Sequence, residues 1–241
     1  SIDMFSADEL LNSGNQLISY RGYDVHGNLS NDKTSFADFW NKVDETGEKT
    51  RPIAAFKPIY MAGYIEDKFQ LKDLTFRIGL RVDRYDANQY VLKDPYSIVG
   101  SRMVGDSKAL ITNASVIPSN IGDDYVMYVN SQPIAIRADQ TDPTSEIVGY
   151  NYENVSALGF RKGDKWYDIE GQEVRNIGSI GGSPVPLLPE GQTSNPIDEG
   201  FKPELAFEKY KAQYTFMPRL QFSFNISDNA LFFAHYDQLS Q

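Results

Sequence analysis

The segment Leu74–Asp83, LTFRIGLRVD, sets Leu74, Phe76, Ile78, Leu80 and Val82 on one register and Thr75, Arg77, Gly79, Arg81 and Asp83 on the other. Side chains of a β-strand alternate between its two faces, so this segment reads as a strand with one wholly apolar face and one face that carries three charges. A chain that contains it must supply two environments, one dry and one wet. The dry one is either a protein core or a lipid bilayer.

The alternation recurs in three further places. Ile59–Gln70, IYMAGYIEDKFQ, reads as a strand, and Leu71-Lys72-Asp73 is short enough to turn it into the next strand as an antiparallel hairpin. In Tyr214–Ile226, Phe216, Pro218, Leu220, Phe222 and Phe224 alternate with Met217, Arg219, Gln221, Ser223 and Asn225. Ser227-Asp228-Asn229 then turns the chain into ALFFAHYDQLS, where Phe232, Ala234 and Tyr236 oppose Phe233, His235 and Asp237. A strand with weaker facial contrast is expected over Gly14–Asn28, closed by Gly27-Asn28. The spacing of Phe36, Phe39, Trp40 and Val43 predicts one short amphipathic helix over Thr34–Val43, with Ser35 and Asp38 as a capping pair and Gly47 as the stop. Its aromatic stripe is read as packing, because so short a helix persists only when buried.

Residues 87–211 hold most of the proline and glycine and several short hairpin-like pieces. DDYVMYVNSQPIAIRAD suggests two short strands broken near Asn130–Pro133, and DKWYDIEGQEV two more around Glu170-Gly171. The run IGSIGGSPVPLLPEGQTSNP forms no regular helix. So long an excursion between hairpins is characteristic of a functional loop system. The expected organisation is residues 1–58 as a strand and a loop with the short helix, 59–86 and 214–241 as hairpins, and 87–213 as one long loop region.

The net charge of -10 argues against nucleic acid as a partner, since phosphate is bound through clustered Lys and Arg. With no cysteine, disulfides, thiolate zinc sites and cysteine nucleophiles are excluded. No run approaches the ~18 apolar residues of a spanning helix, and the mean hydropathy is -0.44. A spanning β-strand escapes such a scan, because only every second residue must be apolar. Catalytic signatures are also lacking: His26 and His235 are the only histidines, no HExxH or GxSxG occurs, and GSIGGS has neither the lysine nor the following helix of a phosphate loop. The chain is therefore read as a non-enzyme with no cofactor and no metal. His235 and Asp237 share a face without a third ligand, and Asp123, Asp124, Asp139, Asp142 and Glu146 lack a calcium-loop arrangement.

Two hairpins with short turns, joined at their other ends by a very long loop, reproduce the asymmetry of outer-membrane barrels. Arg77, Arg81, Asp83, Arg219, Glu66 and Lys68 all fall outside the apolar registers. A water-filled lumen makes that placement cheap, whereas an Arg on the lipid side at mid-bilayer costs about 2–4 kcal/mol.

AGYIEDKF, a brief turn, LTFRIGLRVDRYD, a long loop, and then MPRLQFSF and SDNALFFAHYD together resemble the barrel of the TonB-dependent outer-membrane receptors. The match is carried by Gly79-Leu80-Arg81 through Tyr85-Asp86 and by Pro218-Arg219. It implies a barrel of about 22 strands closed by a plug, importing a scarce nutrient with energy passed through TonB. On that resemblance the chain is an internal segment of such a receptor: all-β, antiparallel hairpins of a partial transmembrane barrel with a long extracellular loop region and one short helix. Its partners would be outer-membrane lipid, the rest of the barrel and plug, TonB through that plug, and a surface lipoprotein.

Arg77, Arg81, Asp83, Arg219, Gln221, His235 and Asp237 are then expected to face the lumen. Tyr125, Tyr128, Tyr150, Tyr152, Trp166 and Tyr167 are the candidate ligand contacts of the loop, because rings stack on sugars and pack on apolar ligands; stapling the loop to itself is their alternative role. The other reading of the whole chain is a soluble, secreted β-rich binding module whose apolar faces pack sheet to sheet.

Overall fold

Four long strands, Ile59–Leu71, Leu74–Asp86, Gln213–Ser227 and Ala230–Asp237, form one antiparallel sheet in that order in the computed structural model, which describes residues 4–11, 21–30, 33–113, 117–227 and 229–239. They belong to the first of two units, Ser1–Tyr90 with Lys209–Gln241; the second is Val91–Glu208. The first hairpin closes through Lys72-Asp73, with Leu71 paired to Leu74 and Lys72 at φ 53°, the positive φ that a two-residue turn needs to match strand twist. Because alternation survives along each strand, register aligns the faces. Leu80 lies between Ile65 and Pro218, and Phe76 between Phe69 and Phe222.

No described residue in these four strands is buried. The sheet is a single layer, and its apolar register lies open, with Ile65 73% exposed and Phe216 59%. Phe69, Phe76, Phe222 and Phe232 form a row across all four strands, with successive ring centroids 5.2, 6.4 and 5.7 Å apart. The pattern has departures: Asp67 sits on the apolar face opposite Ile78, as do Arg84 and Asp86 at the end of that register opposite Met61 and Ile59, while Phe233 and Leu231 lie on the polar face opposite Ser223 and Asn225.

The predicted helix is present as Phe36–Asn41, with the Ser35 backbone N–H donating to Asp38 Oδ2 at 2.6 Å. The Phe36 ring stacks on Tyr90 at 4.2 Å. Single helical turns at Ala7–Leu10, Val104–Ser107 and Pro203–Ala206 add to it, so the helical content exceeds the one helix expected. Residues 14–20 of the expected strand Gly14–Asn28 lie outside the described residues; from residue 21 onward it is a turn with one isolated bridge, Tyr23 to Leu29.

That turn is built three times from the pattern Asp-x-x-Gly. At Asp24, Asp44 and Asp168 the carbonyl accepts from the N–H of Gly27, Gly47 and Gly171, and the carboxylate accepts from the next N–H, of Asn28, Glu48 and Gln172. Each glycine closes the turn in the left-handed region, at φ 83°, 91° and 80°. Gly47→Ala is expected to cost about 1 kcal/mol, since its Cβ meets nothing within 4 Å and only the backbone objects. Gly171→Ala should cost clearly more, because its Cβ would lie 2.5 Å from Asn120 Oδ1 and disrupt the 2.8 Å bond from Asn120 Nδ2 to the Gly171 carbonyl. Urea unfolding midpoints of the two variants test the ranking.

Val91–Glu208 carries a core of its own. Val185–Pro186, Val126–Val129, Ala157–Lys162, Lys165–Asp168 and Glu173–Val174 form a five-stranded sheet in that order, with every pairing antiparallel. Met127, Val129, Phe160 and Leu187 pack with Val104, Ile111, Ile121, Val155 and Ala157 in one cluster. Val126, Tyr128 and Trp166 pack in another, against Val174 and Ile177. The two strands read from DDYVMYVNSQPIAIRAD occur at Val126–Val129 and Ile134–Arg137, but they do not pair with each other; Ile134–Arg137 pairs with Ile147–Asn151. Between the long hairpins the chain thus folds around a core.

Candidate functional site

One face of the four-stranded sheet gathers all seven residues expected to face a lumen. Gln221 lies between Arg77 and His235, and Arg219 between Gly79 and Asp237, while Arg81 and Asp83 follow on the same register. The charges are matched locally. Arg219 Nε donates to Asp237 Oδ1 at 2.9 Å, and Arg77 lies 3.6 Å from Glu66. Arg81 donates to Asp83 through Nε at 2.7 Å and through Nη2 at 3.2 Å, and to the Tyr60 hydroxyl at 3.0 Å, which itself donates to Asp83. Exposed pairs of this kind are screened by solvent and contribute little to stability. Their consequence is chemical rather than energetic: a wettable surface on one side of a sheet whose other side is oily. Tyr60 joins it unforeseen, since it is polar only at its tip.

The six loop aromatics are not brought together. Tyr128 is 2% exposed and Trp166 8%, and both rings flank the buried Arg161, so neither offers a surface to a ligand in this structure. Tyr125 and Tyr167 are half-buried, with ring centroids 5.4 Å apart, and Lys162 lies over the Tyr125 ring at 5.2 Å. The Asp124 carboxylate holds the Lys162 ammonium at 2.8 Å, and each moves the other's pKa toward its charged form. Asp139 and Asp142 cap their own turns, accepting from Thr141 and Thr144, and these hydrogen bonds lower both carboxyl pKa values.

No protein-family model, curated protein or solved structure matches this chain.

Tyr150 and Tyr152 lie in a different part of the unit, with residues that sequence patterns did not single out. The Tyr152 hydroxyl accepts from Arg102 Nη1 at 2.8 Å and donates to Glu190 Oε1 at 2.9 Å, and Arg102 also reaches Glu190 at 3.2 Å. Arg102 and Glu190 stand 88 positions apart, and no local pattern links them. Burial, followed by the Glu190 hydrogen bond, pushes the Tyr152 phenol up to about 12 from its ordinary 10.0. Between those values the unfolded phenol ionises while the folded one keeps its proton, so the stability this group contributes below pH 10 is lost as pH rises toward 12. Tyr152→Phe is expected to make the alkaline fall of the melting temperature shallower over that window. An unchanged slope in melting curves recorded from pH 9 to 12 would contradict this.

Proposed function

We propose that the chain is part of a TonB-dependent outer-membrane receptor for energised nutrient uptake, with the four-stranded sheet in the wall of its barrel and Val91–Glu208 outside the cell, gating or binding cargo. One observation carries the reading: an open, single-layer sheet with a predominantly apolar register on one face, interrupted at Asp67, and a partnered polar register on the other. Hydrocarbon is the solvent such a face needs, and a wet channel suits its reverse. Strands of 13, 13 and 15 residues exceed the roughly 9–11 that cross a bilayer, and the ring row at Phe69, Phe76, Phe222 and Phe232 suits an interfacial aromatic girdle.

The outer edges of Ile59–Leu71 and Ala230–Asp237 have no strand partner among the described residues. In a membrane those edges require neighbouring barrel strands, because lipid offers backbone groups no hydrogen bonds. Further barrel strands, a plug, TonB acting through it, and a surface lipoprotein are the partners this reading calls for.

Protease treatment of intact Gram-negative cells expressing the parent gene tests the assignment. Cleavage in the exposed Asp139–Ser145 loop is expected on intact cells, with residues 59–86 and 213–237 protected in the membrane fraction. Cleavage only after the outer membrane is opened, or full recovery of the protein without detergent, would overturn it.

A further inference from the structure

We propose that the barrel strand pairing with the outer edge of Ile59–Leu71 carries an arginine or lysine directly across from Asp67, and that this ion pair on the oily face fixes the register in which the two strands join. Asp67 interrupts the apolar register from the edge strand of the sheet. Every neighbour that the described strands give it on its own face is apolar: Ile65 and Phe69 along the strand, Ile78 across from it, and Phe76 and Leu80 on the diagonals. Glu66 and Lys68, on either side of it in sequence, belong to the opposite face by strand alternation.

Depth decides what can stand beside this carboxylate. On Leu74–Asp86 the apolar run extends from Leu74 to Val82 and then gives way to Arg84 and Asp86, so Ile78, and Asp67 across from it, stand at its midpoint. Four residues to either end amount to about 9 Å of bilayer depth for a strand tilted by about 45°. Headgroups do not reach that level, and ionised side chains inside a membrane occur paired. Ile78 occupies one side of Asp67, and the other edge of its strand has no partner strand among the described residues. The counter-charge therefore comes from the strand that joins there. Residues directly opposite in an antiparallel pair have Cβ atoms about 4.5–5.5 Å apart, within reach of a carboxylate and a long cationic side chain. A slip of one residue would turn the cation to the wet face and leave Asp67 alone in hydrocarbon, so the pair selects one register.

The proposal rests on the membrane reading of the sheet and deepens it by naming the chemistry of the adjoining strand. Urea unfolding of the parent receptor in lipid vesicles gives opposite signs for a paired and an unpaired carboxylate. Asp67→Asn, which keeps the shape and removes the charge, is expected to lower the folded-to-unfolded ratio at least about tenfold, and Asp67→Leu at least as far, because each leaves the cation without its counterpart. Asp67→Glu should stay within about threefold and shows that the fold is intact. An unpaired carboxylate predicts the reverse, a higher ratio in Asp67→Leu. If Asp67→Leu does not fold, Asp67→Asn carries the measurement. A ratio unchanged or raised in Asp67→Asn, beside a damaging Leu80→Arg, overturns the ion pair and leaves the membrane reading standing. A harmless Leu80→Arg removes both. An adjoining strand with no Arg or Lys across from Asp67 in the parent sequence overturns the pair as well.

Discussion

Asp94→Ala is expected to destabilise the Val91–Glu208 unit by about 3–5 kcal/mol, the cost of leaving a buried charge without its counterpart. Asp94 and Arg161 are 5% and 4% exposed and lie 2.5 Å apart. The carboxylate also accepts from the Ser101 hydroxyl and, at 3.0 Å, from the Tyr96 N–H. Arg161 donates to the Gly163 carbonyl at 2.9 Å and the Tyr128 hydroxyl at 3.3 Å, with its guanidinium carbon 4.5 Å from the Tyr96 ring centroid and 5.5 Å from that of Trp166. Since a whole domain is stable by only about 5–15 kcal/mol, the single variant should unfold at much lower denaturant. The double variant Asp94→Leu with Arg161→Met should recover part of the loss, because two apolar groups leave no charge stranded. Trp166 fluorescence during guanidinium unfolding, in a Trp40→Phe background, reads both. A single variant as stable as the parent would refute the assignment.

Leu80→Arg should be the most damaging exposed substitution in the sheet, costing about 2–4 kcal/mol once the chain is in a bilayer. Leu80 lies mid-strand between Ile65 and Pro218, on the apolar register. Thr215→Arg, on the opposite face and paired with Asp83, is the control and should stay within about 0.5 kcal/mol. Folded yield in the membrane fraction and guanidinium unfolding in lipid vesicles supply the measurements. If the two arginines prove equally harmless in vesicles, the oily register does not meet hydrocarbon.

The two long hairpins were legible because their information is local. Alternation over a dozen residues fixes which side chain points where, and Lys72-Asp73 sets the register within two residues. The seven polar residues, Arg77 to Asp237, therefore share a face in the structure as they share a phase in the sequence. Asp67 was less visible, since one carboxylate in an apolar register does not alter the period.

Between residues 91 and 208, by contrast, strands of two to six residues are too short for phase to choose a partner. Val126–Val129 finds its neighbours at Ala157–Lys162 and Val185–Pro186, and Asp94 finds Arg161 67 positions away. Only the tertiary structure decided that Tyr128 and Trp166 are core rather than surface, and that Arg102, Tyr152 and Glu190 meet. What the amino-acid order determined unaided was whatever repeats every second residue or closes within a turn. Closure of long loops around a shared core is set by burial summed over the whole unit, which no window of the chain contains.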